Sequence, residues 1–365
     1  MTFFPVIRTI DDLYPVVKHY DEIRFKEAEN GCTIAHYMIG NNELFSGINA
    51  PYTKECRGIT FGPDGHILCR SIHKFFNVGE RLDTQEEFLN WNKVSSIQDK
   101  RDGSSISPIL LNDKIIFKSK KSFESDVAVR ANLLYPEGTN EYALSYDLQR
   151  FGFTPTFEFT SPLNRIVLNY KDDSLVLLHV RDNVTGKYLN REKLQSLRDQ
   201  YKIQIVDEYN LNDAKELKEK LKTGKDFEGY IFQFEDGEMV KMKSLWYLNL
   251  HRTCVFTTEY NVAEMVLSET LDDYKSYLTE VKAFETFEKV LEIEAKVTAS
   301  LLLLQDEVEY IARRDKELSI KDFAIKNKDD KLFHLAMMVY KGKEPDYNKF
   351  YEKYLLDDNF ERRQL

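Results

Sequence analysis

The chain runs to 365 residues, with a formal net charge of −10 and a hydrophobic fraction of 42%. A length of that order predicts two domains, and that much apolar content excludes wholesale disorder. An acidic chain is not a general nucleic-acid coat, although a local basic groove stays open to it.

In chain order, the N-terminus MTFFPVIRTIDDLY has no basic start before an apolar stretch. It does not read as a signal peptide, and a cytoplasmic setting is expected. Short β segments follow up to about Ser244. GITF and HILCRSI flank Gly62-Pro63-Asp64-Gly65, SISPILL and KIIFKSK flank Asn112-Asp113, and GYIFQF and EMVKMKS flank Glu235-Asp236-Gly237. These are three predicted hairpins. FTPTFEFT, RIVLNY and LVLLHVRD read as further strands, and helices are expected at about 123–135, 140–150, 191–202 and 211–223. The pattern is α+β with a mostly antiparallel sheet, and no Gly-rich phosphate loop follows any strand.

A linker is expected near 245–260. Beyond it, Phe284, Phe287, Leu291, Leu301, Leu304, Val308 and Ile311 recur at mostly three- and four-residue steps. That spacing predicts one long amphipathic helix, or two broken ones, in a smaller all-α domain. The longest purely aliphatic run, Leu301 to Leu304, falls far short of the ~20 residues that cross a bilayer. The four cysteines, Cys32, Cys56, Cys69 and Cys254, form no CxxC pair, which argues against a disulfide framework or a zinc site.

Residues suited to chemistry gather in the first part. Lys100 stands in Asp99-Lys100-Arg101-Asp102-Gly103-Ser104. A tight, glycine-containing turn can present an amine to a cleft, or can be a charged surface turn. Phe157-Glu158-Phe159 sets one carboxylate between aromatics, facing a site or water, and Glu228 opens the strand Glu228-Gly229-Tyr230-Ile231. Lys241 and Lys243 lie at i and i+2 on one strand face, where like charges repel unless an anion or water lies between them. Lys118 and Lys120 repeat that spacing, and Arg57 and Lys74 stand in ECRG and HKFFN. From Lys100 to Lys121 six basic residues stand against two acidic ones, a positive stripe to which a polyanion would bind in a salt-sensitive way.

The order and spacing of ECRGI, KFFN, KRDGS, FKSK, FEF, NRIVLNY, HVRDNVTG, EGYI, KMKS and WYLNLH resemble the covalent nucleotidyltransferase superfamily. Within it, the chain is similar to the RNA ligase 1 family of the T-even bacteriophage type, from about Tyr37 to the C-terminus. The resemblance implies an adenylyltransferase domain over 1–253 and an all-helical RNA-specificity domain over 254–365. It implies an ATP-dependent RNA ligase acting in three steps. Lys100 attacks the α-phosphate of ATP, AMP passes to an RNA 5′-phosphate, and an RNA 3′-hydroxyl expels AMP. A neutral lysine amine is the nucleophile such a step needs, and phosphoryl transfer is served by cations and in-line positioning.

The resemblance also implies individual roles. Tyr37 and Arg57 contact ATP, Lys74 its phosphates, Glu158 the ribose, and Lys241 and Lys243 the α-phosphate. Glu228 helps to hold a divalent metal through water. Lys118, Lys120 and Tyr247 serve ligation. Asp272 matches a metal-contacting position, and equally reads as an acid at a helix start. The expected cofactors are ATP and Mg²⁺, with Mn²⁺ as an alternative. The expected partner is RNA with 5′-phosphate and 3′-hydroxyl ends, in particular a cleaved tRNA repaired during phage infection in the host cytoplasm, and the expected state is a monomer. No aromatic in LVLLHVRDN is placed to stack on adenine, and His179 there reads as a half-buried structural histidine. Two other readings stand beside this one. A DNA ligase or capping guanylyltransferase appends short, glycine-bearing strands where this tail reads as helix, and an RNA or nucleotide binder of the same fold would form no covalent AMP adduct.

Overall fold

The computed structural model describes residues 4–28, 30–38, 40–162, 170–252, 258–280 and 284–360. The chain divides into two compact units, Met1–Cys254 and Val255–Leu365. The predicted strand RIVLNY falls almost wholly outside the described residues, as does the expected domain junction at 253/254.

The first unit opens with α1 (Ile10–Val17) and a meander of β1 (Ile23–Glu27), β2 (Thr33–Tyr37), β3 (Arg57–Phe61) and β4 (Ile67–Cys69), with the short α2 (Ala50–Thr53) before β3. Its core joins Leu13 and Val17 of α1 to Ala35, Ile59 and Phe61. Then come β5 (Phe76–Asn77), β6 (Val94–Lys100), β7 (Ser104–Leu111), β8 (Lys114–Lys118), α3 (Asp126–Leu134), α4 (Asn140–Arg150), β9 (Phe153–Thr160), β10 (Ser174–Asp182), α5 (Arg191–Tyr201), β11 (Glu208–Tyr209), α6 (Ala214–Thr223), β12 (Gly229–Phe234), β13 (Met239–Lys243) and α7 (Leu245–Arg252). A second sheet runs β10-β9-β7-β8, and a third runs β11-β6-β12-β13-β5. All named pairings are antiparallel except β13 with β5.

The three predicted hairpins form as β3–β4, β7–β8 and β12–β13. Between β7 and β8, Asn112 and Asp113 take φ of 50° and 61°. A two-residue hairpin turn needs two left-handed residues, and Asn and Asp tolerate that region better than other side-chain-bearing residues. Ile106, Phe117, Leu144, Phe157 and Leu177 close the core of the second sheet beneath α3, α4 and α5. On the third sheet, Ile97, Tyr230 and Phe232 turn the other way, into a core with Leu217 and Leu221 of α6. That leaves Gln98, Lys100, Ile231 and Lys241 on the opposite face, by strand alternation.

The elements of the second unit, among its described residues, are all helices: α8 (Glu259–Leu267), α9 (Leu271–Glu280), α10 (Phe284–Arg314), α11 (Ile320–Asn327), α12 (Phe333–Tyr340), α13 (Tyr347–Tyr354) and α14 (Leu356–Asn359). The long periodic stretch is one helix of 31 residues. Its buried stripe starts at Val290, so Phe284, expected on the stripe, is instead 62% exposed. The linker expected near 245–260 is also corrected, because its first half is α7. Lys275 of α9 donates to both oxygens of Glu294 of α10 at 3.0 and 3.1 Å, a buried pair that fixes the two helices together. No helix among the described residues is long and apolar enough to cross a membrane.

Candidate active site

Strand register builds the centre of the site. Gly229 of β12 pairs with Lys100 of β6 on one side and with Lys243 of β13 on the other. A Cβ on Gly229 would lie 2.0 Å from the Met242 carbonyl oxygen, so only glycine lets the strands approach this closely. The residue before it, Glu228, delivers its carboxylate between the two lysines. Lys100 Nζ lies 2.7 Å and Lys243 Nζ 2.8 Å from the same oxygen, Glu228 Oε1. The other oxygen, Oε2, is buried and has no hydrogen-bond partner among the described residues. Burial pushes the Glu228 carboxyl up, but Lys100 and Lys243 outweigh it and hold the group below its ordinary range. Lys241 lies two residues back on the same face of β13.

The turn after Lys100 packs on β9. A Cβ on Gly103 would sit 2.5 Å from the Phe159 carbonyl oxygen and 3.1 Å from Glu158 Cγ. Glu158 therefore stands beside the turn. Its burial pushes the carboxyl up to about 7, against the pull of Lys100 and Arg57. Tyr247 of α7 donates to Asp102 Oδ1 at 3.0 Å, and the Asp102 amide donates to Tyr170 Oη at 3.2 Å. Lys243 Nζ lies 4.7 Å from the centre of the Tyr247 ring. Arg101, in the free position of the motif, pairs with Asp99 at 3.2 Å and Asp207 at 3.0 Å.

A second group of cations borders the first. Gly58 takes φ of +92°, and a Cβ there would meet the Lys120 carbonyl oxygen at 2.5 Å. The Lys118 ammonium donates to the carbonyls of Gly58 at 2.8 Å and Ser119 at 3.2 Å. That side chain is 1% exposed and is aimed at the backbone, so it is not part of an exposed positive stripe. Lys120 Nζ lies 4.7 Å over the Tyr37 ring, and Lys74 Nζ 4.9 Å over Phe76. Arg57 donates to the Ile72 carbonyl at 3.4 Å. Asp272 lies in the first turn of α9, in the other unit. Among the described residues no group of three or more His, Cys, Asp or Glu side chains is placed to hold a metal ion.

With this geometry in hand, the chain can be set beside known proteins. The sequence matches the RNA ligase family over residues 55–248, more than half of the chain. The chain belongs to the RNA ligase family. A Thermovibrio ammonificans protein named as an RNA ligase is 28% identical over 307 residues, covering 80% of this chain and 78% of its own. RNA ligase 1 of bacteriophage TS2126 is 26% identical over 264 residues, covering 67% of this chain and 62% of its own. An archaeal ATP-dependent RNA ligase structure aligns with a TM-score of 0.50 at 10% identity, over 82% of this chain and 78% of that one, a likeness of fold.

The ligase also holds groups that sequence reasoning missed. Glu55 is buried between two arginines. It accepts from Arg70 at 2.8 Å and from Arg181 at 2.9 Å through both oxygens. The ECRG motif displayed Glu55, but neither arginine partner could be paired with it without the fold. A cavity of about 520 Å³ lies among Gln98, His179, Tyr188, Arg191 and Gln233. His179 is 1% exposed, and burial lowers it to about 3, so the ring is neutral and more deeply buried than expected. Gln98 alternates with Lys100 on one face of β6, which places the cavity about 7 Å along the strand from the lysine.

Proposed function

We propose that the ligase is ATP-dependent and that Lys100 is its covalent site. The Lys100 amine loses a proton, its Nζ–P bond to the α-phosphate forms, and the bond from that phosphorus to pyrophosphate breaks. An RNA 5′-phosphate oxygen then bonds to that phosphorus as the Nζ–P bond breaks and frees Lys100, and an RNA 3′-hydroxyl, giving its proton to solvent, attacks the RNA 5′-phosphate and releases AMP. One observation carries this reading: Lys100 and Lys243 meet on a single oxygen of Glu228. An α-phosphate entering there gains the two strand lysines, Lys241 and Lys243, as fixed cations.

The remaining roles follow position. Glu158 stands beside the nucleophile turn, where it is suited to accept from a ribose hydroxyl, and the cavity at Gln98 has room for the base. Tyr37, Arg57 and Lys74 supply contacts for the triphosphate. Lys118 acts through Gly58, whose carbonyl it holds. Lys120 and Tyr247 serve ligation, Tyr247 by its bond to Asp102. The unpartnered Glu228 Oε2 is a hard oxygen donor and fits Mg²⁺ or Mn²⁺, held through water. Such an ion would neutralise charge on the phosphates. Asp272 is read as a metal contact of the helical unit.

The first unit is read as the adenylyltransferase domain and the helical unit as the RNA-selecting one. The substrate in this reading is RNA with 5′-phosphate and 3′-hydroxyl ends, and likeness to a phage RNA ligase 1 favours tRNA repair during infection. The test is intact-mass and peptide mapping after incubation with ATP and Mg²⁺. One AMP on Lys100 is expected, and AMP on another lysine overturns the assignment.

A further inference from the structure

We propose that a lysine-rich end of the helical unit, formed where the C-terminal ends of α10 and α12 meet, is a landing surface for the phosphate backbone of the RNA substrate. The inference rests on the reading that RNA is the substrate, and it names where in the helical unit that RNA is held.

Charge is divided unevenly along this unit. Residues 255–312 carry four Lys or Arg against thirteen Asp or Glu, a net charge of −9. Residues 313–343 carry nine Lys or Arg against five Asp or Glu, a net charge of +4. The fold then gathers cations that the sequence separates. Tyr340, the last residue of α12, donates through its hydroxyl to the Leu318 carbonyl, and it lies 3.4 Å from that of Lys316, just past the end of α10. Its ring stacks on Phe323 of α11 with centroids 4.1 Å apart. The backbone just past α10 is thereby tied to the end of α12, where Lys341 and Lys343 follow.

The acids of this segment are largely engaged within it. Asp315 is buried and takes Arg314, Lys326 and Asn327, and the Asp322 carboxylate accepts from the hydroxyl of Ser319, the N-cap of α11. Arg313 pairs with Glu309. Lys316, Lys341 and Lys343 are exposed and make no ion pair among the described residues, while Glu317 and Glu344 are the exposed acids nearest to them in sequence. The ends of two helices, where carbonyls carry partial negative charge, tolerate such a gathering of cations. Beside it, Tyr310 is 62% exposed, with the Arg314 guanidinium 5.8 Å from its ring centre. Lysines that neutralise phosphates next to an exposed aromatic on which a base can stack form a nucleic-acid surface by chemistry.

The experiment uses the full chain and a fluorescent, 5′-phosphorylated stem–loop RNA. Kd is measured across a KCl series for the intact ligase and for the triple variant Lys316→Ala, Lys341→Ala, Lys343→Ala. A second triple variant, Lys193→Ala, Lys202→Ala, Lys225→Ala, removes three exposed lysines from the other unit. The first triple should bind more weakly, with a salt slope smaller by about 2 to 3, because each lost phosphate contact removes roughly 0.7–0.9. Its lysine–AMP formation with ATP alone should match the intact chain. Unchanged Kd and slope would overturn this surface alone and leave the patch to some other polyanion. Equal losses in both triples would overturn it as a mere effect of net charge. Failure of the intact chain to bind the RNA at all would remove the substrate reading, and the surface with it.

Discussion

Two places in the first unit set one carboxylate between two cations, and they differ in what is left over. Glu55 has both oxygens occupied, by guanidinium groups that are 0% exposed. Glu228 has one oxygen holding two ammonium groups and one oxygen with no partner among the described residues, and its lysines are 18% and 7% exposed. Arginine keeps its charge and matches a carboxylate with a planar fork, so the closed triad is a permanent joint. Lysine can give up a proton and become a nucleophile, so the open triad can take part in a reaction. The same motif of charges is thus closed where both carboxylate oxygens are engaged, and open to a further ligand where one oxygen is left over.

The largest expected effect tests the open site. Lys100→Ala should abolish lysine–AMP formation in an intact-mass assay with ATP and Mg²⁺, while the thermal midpoint stays near that of the intact chain. A residual adduct on the variant would place the nucleophile elsewhere. The closed triad should answer in stability. Glu55→Ala leaves two buried guanidinium charges without their counter-ion and should cost about 3–5 kcal/mol in denaturant unfolding. A loss below about 1 kcal/mol would erase the distinction between the two sites.

Next in size, Lys241→Ala and Lys243→Ala should each slow adenylylation by about 10²–10³. Near-normal rates in both would reduce them to a solvated face. The smallest effect sharpens the comparison by pH. Glu55 is held below its ordinary range, because its two arginines outweigh its burial, so its contribution to stability is present above the unfolded value and fades as pH falls. Glu158 is raised to about 7, mainly by burial, so its contribution is present below the unfolded value and is lost as pH rises through 7. Thermal midpoints of the intact chain and Glu158→Gln should therefore diverge in pH dependence between about 4.5 and 7. Parallel curves would refute the raised carboxyl. A Glu158 carboxylate that accepts from ribose should also make dATP a poorer substrate than ATP, and Glu158→Gln should narrow that gap.

Much of the ligase is legible in its sequence because its signals are local. Asn112-Asp113 dictates a left-handed turn, strand alternation puts Lys241 and Lys243 on one face, and the long apolar period yields one helix. Ordered short motifs were enough to suggest the family that the sequence match then established. Local signals misled where packing decides. Phe284 fits the period but lies before the first buried turn of α10, and the supposed linker contains α7, whose Tyr247 is buried against Asp102. Lys118 looks like one cation of a stripe, yet its ammonium is turned inward onto Gly58.

What the amino-acid sequence determined by itself was the three hairpins, the helical character of the tail, the turn chemistry and the candidate lysines and glutamates, since each depends on neighbours within a few residues. What only the tertiary structure decided was partnership. Glu228 reaches Lys100 across 128 positions because Gly229 leaves no side chain between the strands, Glu55 reaches Arg181 across a distance of 126 positions, and Tyr340 reaches the Lys316 carbonyl across 24. Such contacts depend on register and on the close approach of backbones, and no local pattern carries that information.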